Sequence, residues 1–489
     1  MTTPAMGSFT LPYIALQPST SSVFADIANP QGSIAAENVW ISFYSAEGKS
    51  LHGKIRVMES DDVDEGGVEV RVQEGDFEVK LVNSSTLEVS CDSLSIPATR
   101  LLLPSTLSNS PTSSSSSSTS EELPSPSFYS LSSGPIECFA LSPDGRRLVL
   151  GSRDGQCRVV EVVKFVEGNG KERLRKGKEV ALRGHVGDIT CVEFFPSNEV
   201  VLTASTDMSL RVFSVSDGSS PRRLLGHTKR ITSTHILLGG THHKGREILS
   251  ASLDGTIKLW DLSTGENTKT WTLSQPISKM EVISTMSPTE ENVLEGRFAF
   301  CGHPNGTVSL VSLSPSSDTL DSSSLSVSAT PITLFKTSHS SSIESMSYDP
   351  IKRLLATGTR NGSITLFRLP SNCRLDQLSQ VEIDPLCTWK RTEGSSIRSV
   401  RWDQDGGGKS LLVASSDGLP YRASIELDPD TDTEKGSEEV EEKVRVRVLE
   451  EFVGLNCDPA TGILGQEGGS GRVWVSGGMG DGSLRAYES

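Results

Sequence analysis

The 489-residue chain has no run of roughly eighteen apolar residues, so no membrane-spanning helix is expected. Met1 to Phe9 offers no basic stretch followed by an apolar one, and no secretory leader is read there. The eight cysteines (Cys91, Cys138, Cys157, Cys191, Cys301, Cys373, Cys387 and Cys457) are scattered, without a CxxC pair or a Cys/His cluster at metal-ligand spacing. Reduced, mostly buried thiols of a cytosolic or nuclear protein are therefore expected, and no metal. His242-His243 is an isolated pair in a loop and is not read as a metal site. Positive charge is in deficit, 46 Lys and Arg against 62 Asp and Glu, a formal net charge of −16. That balance argues against a nucleic-acid backbone as partner and favours a basic protein. No GxxxxGK[ST] loop, no GxSxG elbow and no convincing acid/base pair occurs, so neither an enzyme nor a cofactor is expected. Aromatics make up only 6% and hydrophobics 35%, which fits a chain with extended polar stretches beside a folded core.

What the chain does contain is internal repetition. Gly184-His185, Ile189 to Phe194, Thr203 to Asp207 and Arg211-Val212-Phe213 are echoed by Gly226-His227, Ile231-Thr232-Ser233, Leu249 to Gly255 and Thr256 to Asp261. Weaker copies lie at Ile136 to Val162, Phe298 to Leu310, Ile343 to Phe367, Ile397 to Ala423 and Val473 to Tyr487. Turn residues fall at 154, 207, 254, 305, 361, 417 and 481, mostly as Asp-Gly or Asn-Gly between alternating apolar runs. Such dipeptides mark hairpins because both residues accept positive φ. The mean spacing is about 54 residues, longer than the ~40–45 of a minimal WD40 unit, the surplus lying in Ser-, Gly- or charge-rich loops. The repeat resembles WD40, and seven turns predict an all-β, seven-bladed propeller.

His227, Ser252, Asp254 and Trp260 then read as a structural tetrad satisfying buried polar groups, with His185, Ser205 and Asp207 its counterpart and Phe213 in the tryptophan position. A hydrolase triad of the same composition would not recur around a ring. His339, Thr359 and Asn361 form a third, partial set, and the remaining four repeats have lost the histidine. The last repeat stops at Ser489 after its third strand, so its fourth is expected from upstream: Ser127 to Ser133 first, Thr99 to Leu103 second.

Outside the ring, residues 1–36 are expected to be a flexible tail. Residues 37–97 alternate like strands and predict a small, mostly β N-terminal domain. Residues 98–126, with six consecutive serines, read as a linker before the propeller of residues 127–489. Ser312 to Ser328 reads as a second Ser-rich loop, and Asp428 to Lys443 as an acidic surface loop.

Trp40-Ile41-Ser42, Gly48 to Gly53 and Gly75 to Val79, joined to Gly184-His185-Val186 and Phe194-Phe195-Pro196-Ser197, are similar to segments of the proteasomal ATPase-associated factor family. The resemblance covers roughly residues 37 to 489, although the Ser-rich insertion and the acidic loop are longer than the family's pattern. It implies a monomeric, non-catalytic assembly chaperone of the proteasome 19S regulatory particle, in cytoplasm and nucleus. Its partner would be the C-terminal domain of an ATPase subunit, with neither nucleic acid nor membrane involved. The partner-binding face is expected beside the inner-strand isoleucines, at Glu137, Asp188, Arg230, Glu344 and Arg398, joined by Arg153, Thr206, Leu253 and Arg360 before the turns. Electrostatic contact is assigned to Glu137, Asp188 and Glu344. Alternatives are a substrate receptor of a cullin-type ubiquitin ligase, poorly matched because Trp260-Asp261-Leu262-Ser263 lacks the expected Arg, or a generic scaffold.

Overall fold

The computed structural model describes residues 8–28, 34–60, 67–104, 129–131, 134–166, 172–237, 246–284, 297–313, 326–328, 332–336, 341–369, 383–403, 410–429, 442–455, 458–466, 471–477 and 482–488. The fold is nearly all-β. Four-strand antiparallel units recur along the chain, each numbered here in sequence order. Sheet one is Ile136–Leu141, Arg147–Ser152, Cys157–Val166 and Glu172–Leu182. Sheet two is Ile189–Phe194, Val200–Ser205, Ser209–Ser214 and Arg222–Leu225. Sheet three is Ile231–Ile236, Glu247–Ser252, Thr256–Asp261 and Glu266–Thr272, and sheet four is Lys279–Ser284, Arg297–Gly302, Thr307–Ser312 and Ile332–Lys336. Sheet five is Ile343–Asp349, Leu354–Thr359, Ile364–Arg368 and Pro385–Lys390. Sheet six is Ile397–Asp403, Ser410–Ser415, Tyr421–Pro429 and Glu442–Phe452. Sheet seven is Ala460–Gly465, Arg472–Gly477, Gly482–Glu488 and, from far upstream, Tyr129–Leu131.

The second strand of each sheet is buried on both faces, as in Arg147–Ser152, Val200–Ser205 and Ser410–Ser415. That burial explains short continuous runs such as Leu411-Leu412-Val413. The first strand of each sheet contacts the first strand of the next, and the first strand of sheet seven returns to that of sheet one. Side chains at the start of these strands stitch neighbours together by reaching main-chain carbonyls. Cys138 Sγ lies 3.7 Å from Ile189 O, Cys191 Sγ 3.3 Å from Thr232 O, and Thr232 Oγ1 2.9 Å from Ile277 O. Ser278 Oγ donates to Ile343 O at 2.7 Å, Ser345 Oγ to Ile397 O at 3.3 Å, and Thr461 Oγ1 to Ile136 O at 2.5 Å. Burial pushes the thiols of Cys138 and Cys191 above their ordinary range, so both act as weak donors in this seam. At Gly358 a Cβ would stand 2.4 Å from Ile397 Cγ2, so the missing side chain lets sheets five and six close up.

Tyr129–Leu131 pairs antiparallel with Gly482–Glu488, with Leu484 opposite Tyr129, inside the segment chosen first from the sequence. The second choice does something else. Ile96–Leu102 runs parallel to the outer strand of sheet six and carries Thr86–Cys91 and Glu78–Asn83 beyond it. A fifth strand also caps sheet three, through Ser326–Ser328. These strands cover edges that would otherwise present unpaired main chain.

The expectation of a flexible tail over residues 1–36 is corrected for residues 8–28 and 34–36. Ser8–Thr10 is a parallel fifth strand on sheet five. Tyr13–Leu16 opens a second sheet with Ala36–Tyr44, Ser50–Glu59 and Val68–Glu74. The helix Thr20–Ile27 buries Val23, Phe24 and Ile27 against it. Helical spacing of those three residues was there to read, but the surrounding Ser, Thr and Pro hid it. The N-terminal sheet and the strands extending sheet six share one core, with Ile14, Val39, Ile41, Phe43, Ile55, Val57, Leu87, Val89 and Leu101 buried. A buried ion pair fastens the segment down. Arg391 Nη2 lies 2.5 Å from Glu451 Oε1, which also accepts the Ile14 N–H at 3.0 Å. Burial lifts the Glu451 carboxyl to about 7, against the lowering pull of Arg391. The linker expected over 98–126 begins as strand to Leu102, and its serine run lies outside the described residues.

Candidate protein-docking face

Each lead-in loop and the turn after the second strand meet at the same end of a sheet. The N–H of the turn residue donates to a lead-in carbonyl in Arg153 to Pro135, Thr206 to Asp188, Leu253 to Arg230, Arg360 to Ser342 and Ser416 to Ser396. Both sets of residues assigned to the face therefore share one surface.

Beneath it lie the polar networks. In sheet three, His227 Nδ1 is 2.9 Å from Asp254 Oδ2, and His227 Nε2 is 2.7 Å from Ser250 Oγ. Ser250 Oγ in turn accepts the Trp260 indole N–H at 2.8 Å. Asp254 also takes the N–H of Thr228 at 2.9 Å and the hydroxyl of Thr256 at 2.6 Å. The serine of the network is thus Ser250, not Ser252. Ser252 Oγ donates to Lys229 O at 3.0 Å and accepts the Asp254 N–H, which braces the turn. Sheet two repeats the correction: His185 Nε2 pairs with Thr203 Oγ1 at 2.8 Å, and Ser205 Oγ donates to Gly187 O at 2.9 Å. Residues two apart on a strand share a face, so spacing alone could not choose between the two hydroxyls. Phe213 takes the tryptophan's place beside His185, ring centroids 6.3 Å apart, and sheet two lacks the indole bond.

The relay Asp254–His227–Ser250 has the connectivity of a hydrolase triad, yet Ser250 is fully buried and its oxygen is occupied by the indole. Its chemistry is to hold a turn. Burial would raise the Asp207 carboxyl, but bonds from Ser209 and His185 hold it down to about 2. Asp254 is lowered further by His227, Thr256 and Thr228 against the same burial. His339 lies outside the described residues, while Thr359 Oγ1 reaches Asn361 Oδ1 at 2.5 Å. Sheet four holds a histidine that the spacing missed. His303 sits at the turn itself, 2.6 Å from Ser309 Oγ and 2.8 Å from Pro276 O.

On the surface, Glu137 accepts from Arg153 of its own sheet and from Arg398 of sheet six at 3.1 Å. Glu344 faces Arg360 at 3.7 Å. Glu137, Glu344 and Arg398 each occupy the extra residue of a bulge in a first strand. Asp188 is half-buried and Arg230 exposed. The acidic patch expected from the sequence is thus largely a set of carboxylates already matched to arginines. Further down the first strands, Glu193 accepts the Ile236 N–H at 3.3 Å, and burial raises its carboxyl to about 7. His235 is driven down to about 4 by burial and by Arg297.

Among the described residues no group of three or more His, Cys, Asp or Glu side chains is placed to hold a metal ion. No described helix is long and apolar enough to cross a membrane. His242-His243 and the middle of the acidic loop, 430–441, lie outside the described residues.

The WD domain, G-beta repeat model matches residues 126–161, 177–214, 218–261 and 330–368. The chain is 29% identical to 26S proteasome regulatory subunit RPN14 of Saccharomyces cerevisiae over 180 residues, 34% of this chain and 39% of that protein. It is 31% identical to Periodic tryptophan protein 2 of Arabidopsis thaliana over 114 residues, 23% of this chain and 12% of that protein. It is 24% identical to Eukaryotic translation initiation factor 3 subunit I of Pyricularia oryzae over 235 residues, 47% of this chain and 59% of that protein. The chain thus spans less than two thirds of each of these relatives. It carries WD40 repeats and is a β-propeller.

Proposed function

We propose that this WD40-repeat chain is a seven-bladed propeller that holds, without catalysis, the C-terminal domain of an ATPase subunit of the proteasome regulatory particle during assembly. Each sheet described above is one blade, residues 127–489 form the ring, and residues 8 to about 104 form a β domain attached to it. The observation that carries the reading is the match to a yeast protein named as a proteasome regulatory subunit. The similarity of Trp40 to Gly53 and Gly75 to Val79 to the ATPase-associated factor family supports it. The protein acts as a monomer in cytoplasm and nucleus, with no nucleic acid, membrane or cofactor involved.

The physical logic is occlusion. A partner domain seated on the loop face cannot dock elsewhere until it is released. The net charge of −16 accelerates encounter with a basic domain at low salt. Asp188, Glu137 and Glu344 provide the electrostatic contacts. Because Glu137 and Glu344 already face arginines, a partner's cation exchanges for an existing one, and each such contact is worth less than about 1 kcal/mol.

Affinity purification at low salt followed by mass spectrometry tests the proposal. Recovery of regulatory-particle ATPase subunits without the proteolytic core supports it. Recovery of a cullin adaptor in their place overturns it.

A further inference from the structure

The turn after the second strand is built alike in most sheets: an acidic or amide residue, then glycine at positive φ. Gly155, Gly255, Gly306, Gly362 and Gly418 have φ of +80°, +81°, +82°, +86° and +77°. Sheet two departs. There Asp207 is followed by Met208, held at φ +65°. A side chain in that region is strained, and burial does not compensate, because Met208 is 41% exposed. Beside it, the N–H of Val186 donates to Asp207 Oδ2 at 3.2 Å, and the Val186 side chain is 89% exposed. Two apolar side chains thus stand together on the loop face of one sheet, the first against backbone preference.

Their surroundings specify what fits. A Cβ at Gly155 would meet the Gly187 and His185 carbonyls of sheet two's lead-in loop, and one at Gly362 those of Thr392 and Ser395 in sheet six's. By the same step the turn of sheet two, which carries Met208, adjoins the lead-in loop of sheet three, where Lys229 and Arg230 are exposed. We infer that Val186 and Met208 are an apolar anchor point, rimmed by Lys229 and Arg230, that seats a protein segment carrying an apolar side chain next to a carboxylate. This rests on the reading that the loop face docks a protein, and it adds an acidic-apolar determinant to a partner otherwise expected to be basic.

The probe is a phage-displayed library of random linear peptides, selected on the full-length chain. Selected clones are expected to carry an aliphatic or aromatic residue beside Asp or Glu. They should bind the Val186→Ser/Met208→Gly variant, and separately Lys229→Glu/Arg230→Glu, about tenfold or more weaker. The first variant should melt no lower than wild type, because glycine suits the turn; lost binding with retained stability separates docking from folding. Clones that hold both variants as tightly as wild type overturn the anchor. If those same clones are lost on Asp188→Lys/Glu344→Lys, the docking face itself stands and only the anchor falls. A wild-type chain that enriches no such peptide also overturns the anchor, while the docking of a folded domain is decided by the purification above.

Discussion

At the residue scale, hydroxyl placement decides what each network is worth. Ser250→Ala would strip a partner from both His227 and Trp260 in a fully buried site, and should destabilise the chain by about 2–4 kcal/mol in denaturant melts. Ser252→Ala loses a bond at the turn and should cost about 1 kcal/mol. The reverse order would contradict the network described here. His235 supplies a pH signature. Its folded-state value near 4 lies below the ordinary 6.5 because burial penalises the imidazolium. Between pH 6.5 and 4 the unfolded chain therefore binds a proton that the native chain refuses, so stability is full above 6.5 and falls as pH drops toward 4. His235→Gln should show a shallower decline over that window in urea melts; parallel slopes would refute the assignment. Aspartates at the turns and the tryptophan were legible from spacing alone. Ser250, Thr203 and His303 were not, because a strand's alternation offers two equivalent hydroxyls and His303 sits in the turn instead of the loop before it.

Elements were easiest to read where the turn chemistry is strong. Asp-Gly and Asn-Gly at 154, 254, 305, 361 and 417 placed hairpins correctly, the turn at Asp481 lying outside the described residues, and continuous apolar runs marked the second strands. Short strands that gain stability only by adding to an existing edge left little trace: Ser8–Thr10 and Ser326–Ser328 are three residues each and have no period to detect. The two kinds of edge strand should also differ in weight. Deleting residues 478–489 removes the third strand of sheet seven and strands Tyr129–Leu131 without a neighbour. Loss of a single cooperative thermal transition is expected, whereas deleting residues 1–10 should leave one transition at modestly lower temperature. Equal damage from both deletions, measured by calorimetry, would show that sheet seven does not depend on the upstream strand.

For the whole molecule, the arrangement of charge matters more than its sum. An excess of 16 negative charges acts at long range, but on the loop face Glu137 is shared between Arg153 and Arg398. On the proposed reading, steering and seating are carried by different groups. If the proposed ATPase domain is the partner, raising salt should slow association several-fold with a smaller change in dissociation. Asp188→Lys combined with Glu344→Lys should weaken binding by roughly threefold to tenfold without lowering the melting temperature. Surface plasmon resonance over a salt series checks both, and a salt effect confined to dissociation would reverse the division of labour.

The three upstream strands Ser8–Thr10, Ile96–Leu102 and Tyr129–Leu131 pair, in that order, with sheets five, six and seven. A ribosome makes them before their partners. These three strands must therefore leave the exit tunnel with edges unmatched and wait through the synthesis of sheets one to four. Until sheets five to seven have emerged, those strands are exposed to the wrong neighbours, and the newborn chain has its greatest need of protection while they are still without a seat.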